Sequence, residues 1–165
     1  VSDIMFIDKD LDDSDLGGVL HWTAAPRSEL VESYSVYLAE DYIGSGRSVV
    51  DGQVPYGTER LVFPPETPLA DTFMEFVVYT VSRLVEQTTP VSLTIVDTNS
   101  SVSSLRFLDN DLDFGDIGGI LTWSEPADIS QVTHYVVYIA IEGKLGVNGS
   151  LLCPAFNDTE VTLNF

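Results

Sequence analysis

Asp15-Leu16-Gly17-Gly18-Val19-Leu20-His21-Trp22 returns later in the chain as Asp116-Ile117-Gly118-Gly119-Ile120-Leu121-Thr122-Trp123. Just upstream, Asp8-Lys9-Asp10-Leu11-Asp12 returns as Asp109-Asn110-Asp111-Leu112-Asp113. Downstream, Tyr34-Ser35-Val36-Tyr37-Leu38-Ala39 returns as Tyr135-Val136-Val137-Tyr138-Ile139-Ala140. The offset is 101 residues each time, and without gaps residues 1–64 and 102–165 agree at 19 of 64 positions. Twelve of those matches fall in the first 22 residues, far above the few that chance gives at one offset, so the chain carries a duplicated module. Two domains are therefore predicted, 1–101 and 102–165. The second holds no counterpart of the stretch from Pro65 to Ser101, and it is expected to be an incomplete copy with its first five strands only.

Within the first copy the apolar residues come in short alternating runs rich in β-branched and aromatic types. The pattern predicts strands at Ile4 to Asp8, Gly18 to Thr23, Glu32 to Ala39, Arg47 to Gln53, Glu59 to Phe63, Met74 to Ser82 and Pro90 to Val96. Asp13-Ser14-Asp15 before Gly17-Gly18, Pro26, Gly44-Ser45-Gly46, Pro55-Tyr56-Gly57 and Pro64-Pro65 read as the turns between them. No helical period is sustained anywhere. Seven short strands in about 100 residues predict an all-β fold of the immunoglobulin-like sandwich type.

Trp22, Pro26 and Tyr34-Ser35-Val36-Tyr37 resemble the second and third strands of a fibronectin type III domain, and Trp123, Pro126 and Tyr135-Val136-Val137-Tyr138 repeat the pattern. The resemblance implies a tryptophan buried between two sheets and tandem β-sandwiches. It also implies a loop after the sixth strand that touches partners. In this chain that loop is Arg83 to Thr89, which places Leu84 and Val85 as an apolar contact for the next repeat or another chain. The sixth strand itself opens Thr72-Phe73-Met74-Glu75-Phe76 and lacks the tyrosine that the family carries near that point. The repeat is also similar to those of very large, acidic surface proteins of protists such as dinoflagellates, which implies an extended array rather than a catalytic activity.

Seven basic residues stand against 26 acidic ones, a net charge of −19. That surface repels a phosphate backbone and an anionic lipid surface alike, so nucleic acid is excluded as a partner. Both copies are acidic, so the charge belongs to the repeat. A 44% hydrophobic fraction separates the chain from disordered acidic tails. No apolar run approaches the ~18 residues that span a bilayer. The lone Cys153 rules out an internal disulfide, and a chain that begins at Val1 reads as part of something longer or processed. His21 and His134 do not occupy equivalent positions, and no nucleophile-elbow, zinc-protease or phosphate-loop pattern is present, so a non-enzyme is expected.

The acidic runs are the strongest candidate site. Residues two apart in an extended chain share a face, so Asp8, Asp10, Asp12 and Asp15 could gather carboxylates, as could Asp109, Asp111, Asp113 and Asp116. A hard cation such as Ca²⁺ takes several oxygens and would offset their repulsion. The helix-loop calcium pattern is not met: Asp13 and Phe114 stand where glycine is required, and Val19 and Ile120 where glutamate is. The other reading is a solvated acidic rim that keeps a sheet edge from pairing. No cofactor is required by the sequence, with Ca²⁺ as the one candidate.

Asn99-Ser100-Ser101, Asn148-Gly149-Ser150 and Asn157-Asp158-Thr159 are N-glycosylation acceptors and involve three of the five asparagines. Together with the adhesion-type fold they place the chain outside the cell or on its surface. The expected function is a non-catalytic structural repeat of an extracellular fibre or coat, joined to other copies of itself by end-to-end stacking or strand complementation. The alternative is an adhesion module that presents sandwich loops to a protein or glycan.

Overall fold

The computed structural model describes residues 1–26, 28–139 and 161–162. The chain forms two compact units, Val1–Ile129 and Ser130–Phe165. Among the described residues it is all-β, with antiparallel pairing throughout, no α-helix and a single short 3-10 turn at Ser28–Leu30.

In the first unit, Ser2–Met5 (β1), Asp15–Thr23 (β2) and Arg60–Pro68 (β6) form one sheet in the order β1-β2-β6. A second sheet runs β4-β3-β7-β8, from Ser33–Ala39 (β3), Ser48–Val49 (β4), Glu75–Val81 (β7) and Val91–Thr94 (β8). Val54–Pro55 (β5) also pairs with β3. β2 alternates as its sequence demands: Leu16, Leu20 and Trp22 point inward while His21 is exposed. β3 lies between β7 and the β4–β5 pair, and six of its seven residues are buried, which its near-continuous apolar run requires.

Residues of both sheets meet in one cluster. Ile4, Leu16, Leu20, Trp22, Leu61 and Phe63 come from the first sheet, and Tyr34, Val36, Leu38, Phe76 and Val78 from the second. Phe6, Phe63 and Phe76 stack in a triangle with ring centroids 4.8–5.4 Å apart. Trp22 packs edge-on against Tyr34 at 5.3 Å. On the outer face of the second sheet, the Arg47 guanidinium lies 4.5 Å from the Tyr37 ring and 4.6 Å from the Tyr79 ring, and it pairs with Glu86 at 2.9 Å.

Several boundaries differ from the sequence expectation. The stretch from Arg47 to Gln53 is not one strand: Ser48–Val49 pairs the far end of β3 and Val54–Pro55 the near end, with an Asp51-Gly52 turn between them. Pro64-Pro65 is not a turn. β6 runs through it to Pro68, because β6 is a sheet edge where a missing N–H breaks no ladder bond. The first strand starts two residues and ends three residues earlier than expected, since Asp8 has left the ladder for a loop.

A further hairpin of the first unit joins Ser103–Phe107 (β9) to Leu121–Ser124 (β10). Its register, with Arg106 opposite Thr122 and Ser103 opposite Ser124, is the register of Met5 with His21 and Ser2 with Thr23 moved on by 101 residues. The left-handed residue inside the strand recurs too, at Asp3 (φ 49°) and Ser104 (φ 54°). In the second unit, Val136–Val137 (β11) pairs with Val161–Thr162 (β12).

Candidate functional site: the acidic loop and the linker it holds

The acidic loop is not an extended chain with its carboxylates on one face. Asp8 and Asp10 turn back onto backbone amides, as a short acidic side chain readily does. Asp8 is buried; its Oδ1 accepts from the N–H of Asp10 (3.2 Å) and of Gly17 (2.9 Å), and its Oδ2 from the N–H of Thr98 (3.0 Å). Asp10, also buried, accepts from Asp12 N–H at 3.2 Å and from Glu66 N–H at 2.7 Å. A carboxylate suits these positions because it only accepts, and the bonds it makes here all come from backbone N–H donors. The Lys9 N–H also reaches the Gly17 carbonyl at 2.7 Å. Gly17 and Gly18 admit this closure: a Cβ on Gly18 would sit 2.6 Å from the Ile7 carbonyl oxygen.

Through these bonds the loop holds the stretch that follows β8. Thr98 is tied to Asp8, the Ser100 N–H to the Leu11 carbonyl at 3.0 Å, and Asp97 Oδ2 to the Ser14 N–H at 2.8 Å. Ser100 Oγ in turn donates to the Asp128 carbonyl at 2.8 Å, in the loop beyond β10. The acidic run is thus a set of anchors for the linker between the two copies. A site at the junction between repeats is one of the readings the sequence allows for the acidic run; its particular partners, Thr98 and Ser100, were not legible, because they lie about 90 residues away.

Only two of the first four aspartates approach one another with a third acid. Asp10, Asp12 and Glu66 can each bring one oxygen within 4.8 Å of the others, and these are the residues that could hold a cation. Asp8 and Asp15 are outside that group. Glu66 had no local signal; β6 carries it across from 56 residues away. Its carboxyl is pushed above the usual range by Asp10 first, then Asp12 and Asp15.

The second loop repeats the bonding. Asp109 Oδ1 accepts from Asp111 N–H and Gly118 N–H at 3.0 Å each, and Asp111 Oδ1 from Asp113 N–H at 2.9 Å. The Gly118 amide and then the Asp111 amide hold the Asp109 carboxyl below the usual range. Asp109, Asp111, Asp113 and Asp116 are all exposed, and among the described residues no group of three ligating side chains forms there.

Asp97 carries the strain of the first loop. Its Oδ1 is buried without a hydrogen-bond partner, and its carboxyl is raised by burial first, with Asp8, Asp13 and Asp15 adding repulsion against the Ser14 amide. A carboxyl that protonates more easily folded than unfolded favours the fold below its unfolded value of 3.8 and loses that advantage as pH rises through the raised value. Asp97→Asn is therefore expected to raise the Tm by about 2–4 °C at pH 7 and to leave it unchanged near pH 3. Melting curves of both proteins across that range check it.

The remaining candidates are simply placed. Asn99 is exposed on the linker and its Oδ1 accepts from Ser101 N–H at 3.1 Å. Asn148 and Asn157 lie outside the described residues, as does Cys153. Leu84 and Val85 form the tip of a tight hairpin closed by the Ser82 N–H to the Val85 carbonyl, and Leu84 is 90% exposed. Val85 lines a groove of about 620 Å³ with Val1, Pro26, Leu30, Val31 and Val81. No described helix is long and apolar enough to cross a membrane.

The described chain thus defines an all-β protein of antiparallel sheets with a hydrogen-bonded acidic linker junction. No protein-family model, no curated protein and no solved structure matches it.

Proposed function

We propose that the chain is part of a tandem array of immunoglobulin-like sandwiches of the fibronectin type III kind, acting as a non-catalytic structural repeat of an extracellular fibre or cell-surface coat. The observation that carries this reading is the recurrence, 101 residues on, of both the hairpin register and the aspartate-to-amide bonding. The sheet orders β1-β2-β6 and β4-β3-β7-β8 around one core support the sandwich. The bonds from Asp8 to Thr98 and from Ser100 to Asp128 support stacking, since they join one copy to the start of the next through a defined linker. Asn99, exposed on that linker, is a fitting glycan site. Calcium is an optional addition to this reading, with Asp10, Asp12 and Glu66 as the residues that could hold it.

Negative-stain images of the full chain test the proposal. Elongated particles with a constant axial spacing, retained in 5 mM EDTA, are expected. Separate particles with affinity on a glycan or cell-surface array support the second reading, an adhesion module, which the exposed Leu84 tip and its neighbouring groove favour. Loss of the spacing on chelation moves calcium from optional to structural and gives Asp10, Asp12 and Glu66 the role of ligands.

A further inference from the structure

The aspartates of the chain differ in which amide they hold. Asp8, Asp10, Asp41, Asp109 and Asp111 each accept from the N–H two residues on. Asp51 accepts instead from the N–H of the very next residue, Gly52, at 2.7 Å. The next nitrogen is the one that closes a five-membered ring with an aspartate carboxyl carbon, so Asp51 holds its side chain against the atom with which it can react. Both residues are exposed and lie in the turn between β4 and β5, outside either ladder. Gly52 leaves the approach open, since even a Cβ there would meet nothing within 4 Å. Asp51-Gly52 is also the one Asp-Gly pair in the sequence.

We propose that Asp51-Gly52 is a self-modifying site that converts to isoaspartate, with water as the only co-reactant. The Gly52 nitrogen bonds to Asp51 Cγ. The proton of that nitrogen and the carboxyl hydroxyl leave together as water, which gives a succinimide. Water then adds at the main-chain carbonyl carbon of Asp51, the bond from that carbon to the Gly52 nitrogen breaks, and the chain runs on through Cγ. Mass is unchanged, and the backbone gains one atom, the former side-chain methylene. Water that adds at Cγ instead restores aspartate.

The place of the turn gives that extra atom an effect. β4 and β5 pair with opposite ends of the same edge of β3, Val49 with Tyr37 and Val54 with Tyr34. On either side of the turn, the Val50 N–H reaches the Val36 carbonyl at 3.2 Å and the Tyr56 N–H the Glu32 carbonyl at 3.1 Å. A lengthened, kinked connection does not keep both registers. β4 is pinned by the neighbouring Arg47, which lies on the Tyr37 and Tyr79 rings and pairs with Glu86. β5 is therefore the strand that yields. Its release draws Val54, 6% exposed, out of the core and leaves the Ser33–Tyr34 end of β3 as an open sheet edge.

The test ages the full chain for several weeks at 37 °C and pH 5 and resolves its tryptic fragment Ser48–Arg60 by liquid chromatography and mass spectrometry. A new peak of unchanged mass is expected to grow with time and to accept a methyl group from a protein-isoaspartate methyltransferase. Gly52→Ala should slow it at least about tenfold, because the added methyl crowds the attacking nitrogen. That variant keeps the fold, since its Cβ has open space and Gly52 has no left-handed φ. Asp51→Glu, whose ring would need six members, should abolish the peak. In the aged chain the Tyr56 amide should exchange at least about tenfold faster, with the β7 amides unchanged. A fragment that stays a single peak overturns the site, and so does Gly52→Ala reacting at the parental rate. Isoaspartate without faster Tyr56 exchange overturns the release of β5. None of these results alters an axial spacing in negative stain, so the array reading stands or falls separately.

Discussion

Phe63→Ala is expected to leave the first unit barely folded. The ring is 1% exposed, meets Phe6 at 5.4 Å and Phe76 at 5.2 Å, and sits on β6 opposite Gly18, where no side chain can move in to fill the space. Truncating a buried phenylalanine costs about 3–5 kcal/mol through lost burial and the cavity left behind. A domain of this size has only about 5–15 kcal/mol in total. The expected result is a fall in Tm of roughly 15 °C or more, with a shallower loss for Phe63→Leu, which keeps most of the volume. Thermal melts followed by near-UV circular dichroism check it, since Trp22 and Tyr34 report the same core. An Ala variant that melts within a few degrees of the parent would show that the two sheets do not share this core.

The second large effect is expected at Asp8. Its three accepted bonds gather amides from residues 10, 17 and 98, so Asp8→Ala strands three donors in a buried place. Each unsatisfied buried donor costs about 1–3 kcal/mol, some of it recovered by water that enters the loop, for a loss of about 2–4 kcal/mol overall. Asp8→Asn is expected to recover little, because one of its two terminal atoms becomes a donor facing donors. The distinguishing signature is local. The Thr98 and Ser100 amides should exchange at least about tenfold faster, while the central β3 and β7 amides change only with global stability. A uniform change across all amides would remove the linker-anchor role from this residue. Asp8→Ala is also the sharper test of the acidic run, since a cation at Asp10, Asp12 and Glu66 would not need the Asp8 oxygens.

How much of this was legible in the sequence depends on the range of each interaction. Strand content was readable because alternation is local: Leu16, Leu20 and Trp22 declare their face within seven residues. Trp22, Val36, Leu38, Leu61, Phe63, Phe76 and Val78 are buried, as the same alternation places them. The prolines of β6 misled because edge position is a property of the whole sheet, not of Pro64-Pro65. The acidic run misled in a different way. Period-two spacing puts carboxylates on one face only while the chain is extended, and the amides of Asp10 and Asp12 draw the preceding side chains into turns instead. Glu66 and Thr98 could not be foreseen as neighbours of that loop, for they arrive by tertiary pairing across 56 and 90 residues. Leu84 stands out at its hairpin tip as the loop composition suggested.

The way Thr98 and Ser100 are fastened has a mechanical consequence. A tensile load carried along the backbone from one copy to the next reaches the Asp8 and Leu11 attachments before it reaches β8. Those few contacts must peel away first, lengthening the connection while the sheets stay intact. In the array proposed above, the junction is therefore expected to lengthen ahead of any unfolding of the sheets.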